Sequence, residues 1–226
     1  MDPGSHDRVN RREIVAAAAV AALPAIGWYA RAGRSHEPSS DSTGIVPVAK
    51  SGPSAAFIPN VPVRTHTGRR ALFYDDLVRG RIVSINFMSV RGDRDYPVTE
   101  NLVKVQRLLG DRVGDDVFMY SITFDPVHDT PEVLADFARS KGVGPGWMFL
   151  TGDPDDLGLL RARLFLRRAT PTGRAMGMDP SMGPCCSVGL VRYGNEALGR
   201  WGSFPARITP ESIAKRFTWI GMRRNA

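Results

Sequence analysis

Arg81-Ile82-Val83-Ser84-Ile85-Asn86-Phe87-Met88 runs into Ser89-Val90-Arg91-Gly92-Asp93-Arg94-Asp95-Tyr96-Pro97, and Val117-Phe118-Met119-Tyr120-Ser121-Ile122-Thr123 runs into Asp125-Pro126-Val127-His128-Asp129-Thr130-Pro131-Glu132. Both apolar runs are short, β-branched and aromatic, and both end in polar turn residues, which reads as two strands. After the first, Val98, Leu102, Val105 and Leu109 recur at helical spacing, and Gly110 supplies the stop. After the second, Asp129 or Thr130 can cap a helix with Pro131 and Glu132 in its first turn. Capping, rather than catalysis, is therefore the role expected of Asp125, Pro126, Asp129, Thr130 and Pro131.

The pattern extends in both directions. Val61 to Thr65, a turn at His66-Thr67-Gly68, and Ala71 to Phe73 read as a leading hairpin, with a helical turn at Tyr74 to Val78. His66 is expected to be a solvated turn residue. Trp147 to Leu150 reads as a strand, and Asp153 to Leu166 as a helix burying Leu157, Leu160 and Leu164. Val188 to Tyr193 and Ala197 to Trp201 read as a hairpin turning at Gly194-Asn195, and Thr209-Pro210-Glu211 opens a last helix with Ile213, Phe217 and Ile220 inward. Strands alternating with helices predict an α/β layered sandwich.

This succession resembles the Sco/SenC family, thioredoxin-like proteins outside the cytoplasm that carry copper to cytochrome oxidase. In that family the first loop reads Cys-x-x-x-Cys-Pro and the second element Asp-Pro-x-x-Asp-Thr-Pro-Glu. Pro97 and the whole second motif are present here, but Gly92 and Tyr96 stand in place of the cysteines. The resemblance covers about Phe57 to the end, most strongly Gly80 to Gly152. It implies a thioredoxin-like three-layer sandwich with an N-terminal β-hairpin and a C-terminal β-hairpin plus helix. The family's third copper ligand, a His before the last hairpin, would fall near Pro184 or Cys185, yet no His follows His128.

Thiolates at such a loop are activated by the helix N-terminus behind them. Gly92 offers no side chain, and the Tyr96 phenol is a poor ligand for soft Cu(I). Replacement donors lie elsewhere: both cysteines and three of the eight methionines fall between Met176 and Cys186. Cys185, Cys186, Met182 and Met178 are the candidate metal ligands, because thiolate and thioether select Cu(I). The competing reading, which takes precedence, has two inert buried thiols and no cofactor. A bond between the adjacent cysteines is disfavoured, since consecutive Cα atoms are about 3.8 Å apart, below the usual disulfide span. His128 holds a variable place in its motif and could supply one further ligand. Arg91, Asp93, Arg94 and Asp95 predict either local salt bridges or a charged docking surface.

The chain of 226 residues is 42% hydrophobic and 23% charged, as globular proteins are, and carries a net charge of +7. Arg161, Arg163, Arg167 and Arg168 form the densest basic cluster, but their spacing fits a solvated helix face, and nucleic acid is not expected as a partner. Arg8, Arg11 and Arg12 precede an uncharged run from Ile14 to Ile26, the layout of a secretory signal. Asn10-Arg11-Arg12-Glu13-Ile14 resembles a twin-arginine signal. Residues 1–32 are accordingly expected to be a signal peptide or membrane anchor, 33–55 a disordered linker, and 56–226 the folded domain in the bacterial periplasm. With its standard ligands gone, the chain is expected to be a non-catalytic accessory to a copper-containing or respiratory enzyme. The alternatives are a Cu(I) chaperone with a relocated Cys/Met site and a thiol-disulfide oxidoreductase using Cys185 or Cys186.

Overall fold

A computed structural model describes residues 48–165 and 189–221. The chain divides into units 1–43 and 44–226, and all described residues belong to the second. Its strands are β1 (Pro62–Thr65), β2 (Arg70–Leu72), β3 (Ile82–Met88), β4 (Val117–Thr123), β5 (Trp147–Gly152), β6 (Leu190–Asn195) and β7 (Arg200–Pro205). The helices are α1 (Gly92–Asp95), α2 (Val98–Leu109), α3 (Pro131–Ser140), α4 (Pro154–Phe165) and α5 (Pro210–Gly221), with a π-helical turn at Phe73–Val78.

The strands form one sheet in the order β2-β1-β5-β4-β3-β6-β7. β3, β4 and β5 are parallel, and β1 and β6 flank them antiparallel. Because strand side chains alternate between faces, β3 sends Ile82 and Met88 to one layer and Val83, Ile85 and Phe87 to the other. The first layer is closed by Leu102 and Val105 of α2, Leu134 and Phe137 of α3, and Ile213 and Phe217 of α5. The second is closed by Leu157, Leu160 and Leu164 of α4 with Phe73 and Leu77 of the π-helical turn. The result is an α/β layered sandwich, as the strand and helix spacing predicts, in the three-layer thioredoxin-like form that the resemblance implies.

Two boundaries differ from expectation. The last hairpin turns at Glu196–Leu198 and Gly199, where φ is 62°, instead of at Gly194-Asn195. Gly194 is needed for space: a side chain there would collide with the Trp201 ring. The packed structure also starts before residue 56. Ser54 is buried, and its amide donates to Glu196 Oε1 at 3.1 Å. Glu196, itself buried, also accepts from the Tyr74 hydroxyl and the Gly80 amide, both at 2.7 Å. One carboxylate thus ties the start of the domain, the π-helical turn and the last hairpin together.

Candidate functional site

The loop after β3 is built around a hydroxyl. Ser89 is buried, and its Oγ accepts from the Gly92 amide at 3.0 Å while its carbonyl accepts from the Asp93 amide at 2.9 Å. A side chain grown from Gly92 would start 2.9 Å from Ser89 Oγ and 3.7 Å from the Phe124 ring. Ser89 therefore occupies space that a residue-92 thiol would need. Tyr96 is half-buried against the helical layer over β3. Its hydroxyl would lie 3.2 Å from a Cβ at Gly189, just before β6, and the Arg207 guanidinium stands 5.1 Å from its ring centroid. That cation–π contact and the close approach to Gly189 make the phenol a packing element.

Two buried carboxylates hold this loop. Asp93 lies off the charged surface of the loop: it is 3% exposed, and Oδ1 accepts from the Thr99 amide at 3.0 Å and the Thr99 hydroxyl at 2.8 Å. It thereby supplies the N-terminal cap of α2 that Pro97 cannot. Lys141 Nζ lies 3.3 Å from Asp93 Oδ2 and 3.0 Å from Glu100 Oε1. The first contact is an ion pair without hydrogen-bond alignment, so Asp93 Oδ2 is held by charge alone. Burial pulls the Lys141 pKa down, but hydrogen bonding to Glu100 and the charge of Asp93 outweigh it and leave the ammonium above its ordinary value.

Asp129 does not cap α3. Thr130 does, accepting from the Val133 amide at 3.4 Å, with Pro131 at the first helical position. Asp129 is 3% exposed and turns inward instead, where Oδ2 accepts from the Thr123 hydroxyl at 2.5 Å and the Val90 amide at 3.1 Å. Thr123 Oγ1 accepts in turn from the Asp125 amide at 2.9 Å. Burial pushes the Asp129 carboxyl above its ordinary pKa, against the pull of its hydrogen bonds to Thr123 and Val90. The second motif is thus a clamp on the first loop, and Asp125 and Pro126 shape the turn between them. Asp125 Oδ1 also lies 2.8 Å from His128 Nδ1, in a pair whose imidazole is largely exposed.

His66 is likewise not a solvated turn residue. Its Nδ1 accepts from the Phe149 amide at 3.1 Å, and its ring meets Phe149 edge-on with centroids 6.1 Å apart. Desolvation lowers its pKa, so the neutral acceptor form is the one held.

Residues 79–180 match the family model described as SCO1/SenC. This segment of the chain is similar to SCO1/SenC proteins. Solved relatives share the fold. Bradyrhizobium japonicum ScoI with copper bound is similar at 21% identity and a TM-score of 0.52, over 70% of this chain and 96% of that one. A SCO1/SenC family lipoprotein from Bacillus anthracis str. Ames is similar at 18% identity and a TM-score of 0.53, over 73% and 95%. Yeast Sco1 follows at 15% identity and a TM-score of 0.51, over 70% and 93%. Among curated proteins none matches the sequence.

The described residues do not fit copper at the loop. Gly92 carries no donor, the space beside it holds the Ser89 hydroxyl, and the Tyr96 phenol is packed against Gly189 and Arg207. Among the described residues no group of three His, Cys, Asp or Glu side chains is placed to hold a metal ion. Cys185, Cys186, Met182 and Met178 lie outside the described residues. Among the described residues no helix is long and apolar enough to cross a membrane.

Proposed function

We propose that this protein is an exported SCO1/SenC-type assembly accessory that acts by binding a partner protein, a copper-containing or respiratory enzyme of the cytochrome oxidase type, with no turnover of its own. One observation carries the reading: Asp93 and Asp129 hold the loop in shape by buried hydrogen bonds, while Gly92 and Tyr96 leave it without a thiolate. The exposed side chains on this fixed backbone, Arg91, Arg94 and Asp95, are the surface a partner would meet. The arrangement of Arg8, Arg11, Arg12 and the apolar run after them supports export to the periplasm, through residues 1–32 as signal or anchor and 33–55 as linker.

The test is an anaerobic Cu(I) competition titration of the reduced full chain against a chromophoric chelator, beside the Cys185→Ser/Cys186→Ser variant. Equal, weak retention of copper by both forms is expected. Tight one-to-one binding that the variant loses overturns the accessory reading and makes the protein a copper carrier on relocated ligands.

A further inference from the structure

A cleft of about 470 Å³ opens beyond the loop, at the end of the sheet where β1 meets β5. The strand register writes one row across three strands on a single face: Arg70 of β2 opposite Arg64 of β1, and Arg64 opposite Thr151 of β5. All three line the cleft, and Pro126, Thr130 and Pro131 of the second motif line its far side. Two arginines directly opposite each other repel unless something negative lies between them. Neither makes a salt bridge or side-chain hydrogen bond among the described residues.

Thr151 adds a donor. The residue is 5% exposed and its hydroxyl makes no hydrogen bond among the described residues, yet that oxygen is not a buried unpartnered atom, so it opens to the cleft that Thr151 lines. The register turns it to the same face as Arg64. Two acids stand nearby, Asp153 in the cleft lining and Glu132 beside Thr130, each with one oxygen taken up locally. Asp153 Oδ1 accepts from the Asp155 and Asp156 amides at 2.9 and 3.4 Å, and Glu132 Oε2 accepts from the Thr130 hydroxyl at 2.8 Å. Glu132 faces Arg64 only through a longer-range attraction. The N-terminus of α3 adds a positive field but no free amide at Val133, which Thr130 caps.

We propose that this cleft binds a small organic oxyanion, a phosphate or carboxylate head on an apolar body. The guanidinium forks of Arg64 and Arg70 match the paired oxygens of such a head, and the Thr151 hydroxyl donates to it. The prolines 62, 126 and 131 receive the body, and the volume is in the range of small-molecule sites instead of single ions. The site is independent of the partner-binding reading, since it uses no residue of the Gly92 loop.

Calorimetric titration of the full chain, in low-salt buffer free of phosphate, uses phenyl phosphate and benzoate as probes, with inorganic phosphate distinguishing a bare ion from an organic one. One-to-one binding of phenyl phosphate or benzoate is expected, weakened about tenfold or more in Arg64→Gln, Arg70→Gln and Thr151→Val, and unchanged in Arg107→Gln on the remote α2 surface. Absence of heat with both organic probes up to about 10 mM, or tighter binding of inorganic phosphate than of either, overturns the proposal. Equal weakening in Arg107→Gln does so too, by exposing non-specific charge attraction. Arg64→Gln and Arg70→Gln should melt no lower than the wild type without probe, since each removes one of two facing like charges. A lower melting temperature would mean that the arginines serve the fold and not a ligand.

Discussion

Asp129→Ala removes the clamp between the two motifs. The substitution deletes the acceptor of two hydrogen bonds, from the Thr123 hydroxyl at 2.5 Å and the Val90 amide at 3.1 Å. Bonds to a charged acceptor contribute about 1.5–3 kcal/mol each. Thr123 is fully buried and Val90 half-buried, so their donors have little water to turn to. Against this, burial disfavours the carboxylate itself, as its raised pKa records, and alanine relieves that cost. A net loss of about 2–4 kcal/mol follows. Urea unfolding should show it as a lower midpoint at unchanged slope. Hydrogen exchange should localise it, with the Val90, Gly92 and Asp93 amides losing protection before those of β3 or β4. A loss below about 1 kcal/mol, or unchanged protection at Val90, would refute the clamp.

Gly92→Cys should destabilise by about 1–3 kcal/mol, because its Cβ starts 2.9 Å from Ser89 Oγ. Adding Ser89→Ala should recover part of that loss, and strictly additive effects in a double-mutant cycle would contradict the crowding. His66, whose folded-state pKa is lowered, binds its proton more readily in the unfolded chain. It should therefore cost stability as pH falls below its ordinary 6.5. His66→Gln should flatten the decline in melting temperature between about pH 7 and 5, and an unchanged slope would show that His66 is not held neutral.

Helices and strands were legible because their apolar spacing is long and regular: the inward set of α5, Ile213, Phe217 and Ile220, is buried as its period requires. Single-residue orientation was not. Arg91, Asp93, Arg94 and Asp95 look alike in sequence, and only the fold's need for a cap on α2, which Pro97 cannot provide, turns Asp93 inward. Asp129 and Thr130 are equally good caps by type, and Thr130 takes the role because Asp129 faces Thr123 beneath the loop. Gly194-Asn195 has the composition of a hairpin turn, but the glycine serves the Trp201 ring, a tertiary demand that no local pattern announces. The absence of the usual ligands at residues 92 and 96 was plain in the sequence, whereas the part played by Ser89 in closing that space needed coordinates.

Helix α3 holds the loop from both of its ends. Asp129, just before it, grips Val90, and Lys141, just after it, faces Asp93. The backbone carrying Arg91, Arg94 and Tyr96 is therefore braced by a ten-residue strut instead of by any bound group. Association with such a surface forgoes most of the ordering entropy that a slack loop would lose on docking, so a complex formed here can be tight on a modest contact area and without a metal to organise it.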